Sequence, residues 1–393
     1  MKRGLVVFDT HPVQYRAPIY RMLQREFKIP VTVIYGSDFS VRDGYDSEFK
    51  KAFSWDSDLL SGYEAVFLPE AGHKIKDICG ISTKGLDEAL KKLNPGAVLL
   101  VGYNPRFHQA AFWQSIRMGI PVLFRGEATD YTSRLNPVKA VFRDLFLELF
   151  YSRCTRILYA GRRYYDHFKR FRIPEQKLIF SPYCVDTALF QLDPASRKKI
   201  RGQIRSEHQT GEDDTIILFS GKLSRRKGPD FLVEAIRRLP DPIRNRVRIL
   251  FMGDGELRDE LEQLAKKSPS VKIDLVGFKN QTEISAYYCA ADVLVLPSHY
   301  GETWGLVVNE ALHHGIPCVV SEAVGCAPDL VESGVTGERF KTGSSADLAE
   351  AIIRAMGLIQ NPDTARQCRS RAEQYSMPRA AEGIARAYHE VVS

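Results

Sequence analysis

The sequence predicts an α/β protein of two doubly wound halves facing a cleft, and three observations predict it. Short apolar runs rich in Val, Ile, Leu and Phe alternate with longer segments of helical period. Many of those runs end on Gly or Pro, and the alternation breaks once, over a polar stretch, before it restarts. Runs that are apolar throughout are what strands buried on both faces require, so the sheets are expected to be parallel and covered by helices on both sides. A chain of 393 residues is too long for one ordinary domain and long enough for two cores.

In chain order the expected strands are "GLVVFD" (4–9), "VTVIYG" (31–36), "AVLLVG" (97–102), "PVLFRG" (121–126), "RILYAG" (156–161), "TIILFSG" (215–221), "VRILFMG" (247–253), "VKIDLVG" (271–277), "DVLVLP" (292–297) and "PCVVSE" (317–322). The break is "DTALFQLDPASRKKIRGQIRSEHQTGEDD" (186–214), which divides a first domain, 1–190, from a second, 191–378. "RAAEGIARAYHEVV" (379–392) reads as a helix, and periodicity leaves open which half it packs on. Open parallel sheets bind ligands beyond the carboxyl ends of their strands, so the loops after these runs are where chemistry is sought.

Composition narrows the classes. The net charge of +7 is modest for this length and fits anionic ligands or an anionic surface better than a dedicated nucleic-acid binder. Seven cysteines, at 79, 154, 184, 289, 318, 326 and 368, are scattered without a C-x-x-C pair and read as reduced, buried thiols of a cytosolic protein. The start "MKRGLVVFD" reaches Asp9 after a short apolar run and reads as a first strand rather than a signal peptide. No apolar run approaches the roughly 18–20 residues of a membrane span. The expected location is the cytoplasm, free or resting on the inner face of a membrane.

Two stretches of the second half carry most of the chemistry. In "TIILFSGKLSRRKGPDFLVEAI" a strand ends at Gly221, a loop with Lys222, Arg225, Arg226 and Lys227 follows, and a helix opens near Pro229. Cations beside a helix N-terminus make a diphosphate clamp, or else a solvated basic loop. In "DVLVLPSHYGETWGLVVNEALHHG" a buried strand leads through a loop holding Glu302 into a helix from about Gly305 that ends at Gly315, with Glu310 one to two turns in. The amides of Trp304, Gly305 and Leu306 then point into the cleft. Glu310 is placed to take two ribose hydroxyls and Glu302 to reach a sugar; the alternative is an acid favouring the helix N-terminus and a second acid on the surface.

The order and spacing of "GKLSRRKG", "MGDGELRDEL", "GFKNQTEISAYYCAADVLVLPSHYGETWGLVVNEAL" and "GCAPDLVESGVTGERF" resemble glycosyltransferase family 4, retaining enzymes of the GT-B fold, with two Rossmann-like domains. The resemblance is specific over 215–340 and looser over 1–190. It implies that the second domain binds a nucleoside diphosphate sugar, UDP- or GDP-linked, as co-substrate, with no cofactor and no metal. Lys222 and Lys227 match the cations on the diphosphate, Glu302 the donor-sugar contact and Glu310 the ribose ligand. Trp304, Gly305 and Leu306 match the segment whose amides approach the phosphates, and Gly221 and Phe278 belong to the same donor set. Lys222 stands where Arg is usual and lacks its fork; Trp304 stands where a smaller Phe is common, which is expected to reshape the sugar pocket. The implied reaction is transfer, with retention, to a hydroxyl acceptor that is a glycan, a lipid-linked molecule or a small molecule, as in cell-surface polysaccharide or glycolipid synthesis. Two rivals use the same socket: a nucleotide-sugar epimerase or phosphorylase, and a binding protein without turnover.

The first half departs from the family. Where a glycine-rich turn is common, "FDTHPVQYRAPIYRML" has two prolines and no glycine, and His11, Gln14 and Arg16 are expected to project from a stiff loop. His11 is a candidate catalytic residue on the acceptor side or a locally bonded loop histidine. In "PVLFRGEATD" Glu127 falls roughly where relatives carry a histidine facing the reaction centre, with Arg125 beside it; the carboxylate serves an acceptor hydroxyl or closes the loop as an Arg125–Glu127 pair. "VGYNPRFHQAAFW" adds Asn104 and His108. Candidate catalytic residues are therefore Glu302, Glu127 and His11.

Three look-alikes are set aside. Asp56 and Asp58 in "WDSD" have metal spacing but lie in a turn, "GDGELR" (253–258) lacks the third glycine of a dinucleotide fingerprint, and His313 and His314 close a helix without further metal ligands. Lastly, 138–172 combines Val138, Val141, Phe142, Leu145, Phe146, Leu149 and Phe150 at helical period with Arg153, Arg156, Arg162, Arg163, Lys169, Arg170 and Arg172. This segment is either a core helix or a face for an anionic membrane surface.

Overall fold

Each of the ten apolar runs is a strand in the computed structural model of the protein, which describes residues 3–38, 41, 44–46, 51–53, 58–69, 80–127, 130 and 137–392. The chain divides into two compact units, Met1–Gly44, Ala52–Asp186 and Ser376–Ser393 in one, Tyr45–Lys51 and Thr187–Tyr375 in the other. The strands are β1 (Leu5–Asp9), β2 (Val31–Tyr35), β3 (Gly44–Asp46), β4 (Lys51–Phe53), β5 (Glu64–Phe67), β6 (Ala97–Leu100), β7 (Val122–Phe124), β8 (Arg156–Tyr159), β9 (Leu178–Phe180), β10 (Thr215–Ser220), β11 (Val247–Met252), β12 (Lys272–Gly277), β13 (Val293–Leu296), β14 (Cys318–Ser321) and β15 (Gly337–Phe340).

The first unit holds a seven-stranded sheet in the order β5-β2-β1-β6-β7-β8-β9, parallel throughout, while β3 and β4 form a separate two-stranded sheet. Val7 of β1 lies in register with Val33 and Leu99 on either side, and all three are fully buried, as the unbroken apolar runs require. The helix Met377–Val392 returns to this unit. Its small buried face, Ala380, Ala381, Ile384, Ala385 and Tyr388, joins the core of β1, β2 and β6, and Gly383 lies so close to the Phe180 carbonyl that a Cβ would overlap it.

The second unit holds a six-stranded parallel sheet, β12-β11-β10-β13-β14-β15. In each sheet the order reverses once, between β1 and β6 and between β10 and β13, the position at which open parallel sheets take ligands beyond the carboxyl ends of their strands. The loops leaving those strands carry His11, Gln14, Asn104, Lys222, Lys227 and Glu302, whereas Arg125 and Glu127 follow β7 and Phe278 follows β12.

Among the described residues no helix is long and apolar enough to cross a membrane, and no group of three or more His, Cys, Asp or Glu is placed to hold a metal ion. Asp56 and Cys79 lie outside the described residues; Asp58 accepts the amides of Leu60 and Ser61, the work of a turn residue. Cys154, Cys184, Cys289, Cys318, Cys326 and Cys368 are buried and unbridged, and burial pushes the Cys184 and Cys368 thiols up to about 12.

Candidate functional site

Backbone approach at two glycines builds the first part of the site in the second unit. Gly221 follows β10 with φ 140°, and its amide donates to the Met252 carbonyl at 2.9 Å. Gly253, φ 146°, lies against the Gly221 carbonyl, where any Cβ would overlap it, so the glycine of the failed dinucleotide fingerprint is needed for this approach. Beyond Gly221, the half-buried Lys222 opens the loop, and Gly228 in the left-handed region turns the chain into the helix Pro229–Arg237.

That loop meets the one after β13. Lys227 Nζ is 2.5 Å from Glu302 Oε2, both side chains are 11% exposed, and Ser298 Oγ donates to the same oxygen at 3.1 Å. Arg226 Nη1 lies 3.5 Å from Glu302 Oε2 and donates to the Gly301 carbonyl at 3.1 Å. Glu302 is therefore not the acid of a helix first turn: the helix Leu306–His314 has none there and is entered through Gly305. Gly305 takes φ 100°, which L side chains rarely adopt, and a Cβ there would also press on Leu296 and Val324 at 3.0 and 3.1 Å. Among the described residues the amides of Gly305, Leu306 and Val307 have no acceptor, which leaves three donors at a helix N-terminus beside Lys227 and Glu302.

Glu310 is not a surface acid either. It is 7% exposed, and Tyr288 donates its hydroxyl to Glu310 Oε2 at 2.6 Å. Ser220, the last residue of β10, hydrogen-bonds Tyr288 in turn, so strand end, tyrosine and glutamate form one chain of contacts. Burial pushes the Glu310 carboxyl up to about 7, and the Tyr288 hydrogen bond offsets part of that rise. One turn on, His314 stacks on Tyr288 with centroids 5.0 Å apart, and burial holds it down at about 3. It is therefore neutral, donating Nδ1–H to the Glu310 carbonyl at 2.7 Å and accepting from Ser285 at Nε2 at 2.8 Å.

The Trp304 ring turns inward: it is buried within its own unit, 5.8 Å from the Tyr375 ring, and its indole N–H donates to Asn309 Oδ1 at 2.8 Å, because a buried indole needs an acceptor. Phe278 follows Gly277 at the end of edge strand β12 and is half-buried.

In the first unit the residue that organises the strand end is Asp9, which the sequence reading missed. It is fully buried, accepting from Arg16 Nη1 at 2.6 Å and from the Tyr20 hydroxyl at 2.9 Å. Arg16 also reaches Glu127 Oε1 at 3.3 Å, which joins the loops after β1 and β7. A carboxylate closing an otherwise apolar strand, with Arg and Tyr four apart on the next helix, was the available signal. His11 is hydrogen-bonded to Thr10 at 3.0 Å; burial lowers its pKa, Asp9 opposes that and Arg16 adds to it, so the ring is held toward neutrality. Gln14 Oε1 is buried with no hydrogen-bond partner among the described residues.

The other three first-half candidates make contacts to or through backbone carbonyls. Arg125 does not pair with Glu127; its guanidinium donates to the carbonyls of Ser181 (3.3 Å) and Pro182 (2.8 Å) and lies 4.9 Å over the Tyr183 ring, since the chain leaving β9 presents acceptors that the fork can satisfy. His108 points to the Phe8 carbonyl at 3.1 Å, and burial lowers it to about 4, so the neutral ring donates there. Asn104 is exposed, and its carbonyl accepts from Gln109 at 3.2 Å.

Two strand-end loops joined by Lys227 and Glu302, a helix opening with free amides and a buried carboxylate behind it thus share one switch point. Residues 200–375 match the glycosyl transferases group 1 family. A D-inositol 3-phosphate glycosyltransferase from Catenulispora acidiphila is 34% identical over 201 residues, 49% of this chain and 46% of that protein. Sulfoquinovosyl transferase SQD2 of Arabidopsis thaliana is 31% identical over 166 residues, 41% of this chain and 30% of that one. The chain spans half or less of the length of the curated relatives that head the comparison. Among solved structures, sucrose-phosphate synthase from Thermosynechococcus elongatus superposes with TM-score 0.72 at 17% identity over 99% of this chain and 98% of that one. HepE of Anabaena, solved with UDP and glucose, gives 0.68 at 16% identity over 99% of this chain and all of that one. The fold is GT-B, with one Rossmann-like domain in each unit.

Proposed function

We propose that the protein is a metal-independent, retaining glycosyltransferase of family 4 that acts in the cytoplasm. In this reading it moves a sugar from a UDP- or GDP-linked donor to a hydroxyl on a glycan or lipid-linked acceptor. The observation that carries the proposal is the convergence of Lys227, the free amides of Gly305, Leu306 and Val307, and buried Glu310 on one strand-order reversal. Cations and oriented amides stabilise a leaving diphosphate as its negative charge grows, a task that other transferases give to a metal. Lys222 belongs to that set, Glu310 takes the ribose hydroxyls, and Glu302, held by Lys227 and Ser298, faces the donor sugar. Support also comes from the group 1 match over the same residues and from HepE, a GT-B protein solved with UDP and glucose. On the acceptor side, Glu127 keeps a carboxylate that is 38% exposed and is oriented by Arg16, while His11 is the neighbouring candidate base.

The test is a donor panel of UDP-, GDP-, ADP- and dTDP-sugars with glycan and lipid-linked acceptors, with products resolved by mass and by anomeric configuration, with and without a chelator. Transfer with retention that survives the chelator supports the proposal. Isomerised sugar formed without acceptor assigns an epimerase, phosphate-dependent cleavage assigns a phosphorylase, and donor binding without any turnover assigns a binding protein.

A further inference from the structure

The helix Pro137–Arg153 is held by one face only. Leu147, Phe150 and Tyr151 are buried, with Phe150 4.3 Å from Phe112 and Tyr151 5.6 Å from Phe124 between ring centroids. On the opposite side Val138, Val141, Phe142, Leu145 and Leu149 are between 46% and 69% exposed. At 3.6 residues per turn these five fall within an arc of about 100° and form one continuous outward stripe. Patches of this kind on a soluble surface mark an interaction site.

The charges around the stripe select the partner. The basic run that follows it in sequence is largely neutralised: Arg156 pairs with Glu390 at 2.8 Å, Arg162 with Asp166 at 3.2 Å, Lys169 with Glu175 at 3.3 Å, and Arg170 with Asp130 and Asp144 at 2.8 and 2.6 Å. Other cations keep their charge available. Among the described residues Lys139 and Arg153 on this helix, and Arg106 and Arg117 on the adjacent helix Arg106–Arg117, make no ion pair, against the single unpaired acid Glu148 on either helix. That neighbouring helix also exposes Trp113, a residue suited to a headgroup layer.

We propose that this face docks on an anionic lipid bilayer, with the stripe entering the headgroup boundary and Lys139, Arg153, Arg106 and Arg117 meeting lipid phosphates. Stacking two copies through the same face would instead bring these cations against one another. The inference is independent of the transferase reading, because vesicle binding is measured without donor, acceptor or turnover.

The experiment is co-sedimentation of the full-length protein with phosphatidylcholine vesicles, with and without phosphatidylglycerol, at low and high salt. Wild type is expected to bind the phosphatidylglycerol vesicles and to weaken as salt rises. Phe142→Gln with Leu145→Gln should lower partitioning at least about tenfold, and Lys139→Gln with Arg153→Gln about thirtyfold. All four side chains are on the surface, so thermal unfolding should not change. Wild type that ignores phosphatidylglycerol vesicles, or double variants that bind as wild type does, overturns the proposal. So does a dimer seen by light scattering that Phe142→Gln with Leu145→Gln dissolves while no vesicle is bound, which would give the face to a second copy.

Discussion

Replacing Glu310 by Gln separates a buried carboxylate from its shape. The Tyr288 phenol meets it and is itself bonded to Ser220, while neutral His314 bonds the Glu310 backbone carbonyl; none supplies a compensating positive charge. The carboxyl rises from 4.5 to about 7 on folding, chiefly through burial. The folded protein therefore holds this proton more tightly than the unfolded chain, and stability falls as pH rises from about 4.5 through about 7, by about 3 kcal/mol from this group alone. Gln keeps an oxygen for Tyr288 and cannot ionise. Wild type and Glu310→Gln should be comparable in urea unfolding near pH 5, and the variant should gain on wild type by up to about 3 kcal/mol near pH 8.5. If nucleotide ribose is bound by the ionised form, its affinity in wild type should also weaken about tenfold per pH step below about 7. A stability difference between the two proteins that stays constant across this range would refute the reasoning.

Other substitutions test the remaining links. Lys227→Met leaves the Glu302 carboxylate with Arg226 at 3.5 Å and Ser298, and should cost about 2 kcal/mol in denaturant unfolding; adding Glu302→Gln should recover part of that loss. Gly253→Ala places a methyl on the Gly221 carbonyl at a φ that L residues avoid, so a loss of about 2–3 kcal/mol and weaker nucleotide binding are expected from calorimetry and titration. Asp9→Asn removes the carboxylate that pairs with Arg16, and about 3 kcal/mol of stability should go with it, read by thermal unfolding. Trp304→Phe removes the indole N–H that donates to Asn309 Oδ1 and should cost about 1–2 kcal/mol while donor-sugar preference stays as in wild type, measured across the donor panel.

What could be read along the chain was whatever a local pattern encodes. Ten strands were legible because a strand buried on both faces must be an unbroken apolar run; β3, β4, β5, β9 and β15 were not, and β15, "GERF", enters the sheet through Gly337, where a Cβ would meet the Cys318 carbonyl. Glu302, Lys227 and Glu310 were legible as candidates because strand ends and helix starts place them without knowledge of distant contacts. Their partners were not: Tyr288 stands 22 positions before the carboxylate it holds, and Asp9 is organised by Arg16, which also reaches Glu127 on another loop. The same limit governed side-chain direction, so Trp304 turned inward to Asn309 and Arg125 to backbone carbonyls. Periodicity showed that 138–150 and 379–392 each carry an apolar face; tertiary packing buried the second against the first sheet and left much of the first in solvent. A sequence pattern specifies which face of an element is apolar, whereas what covers that face depends on which other segments the fold brings against it.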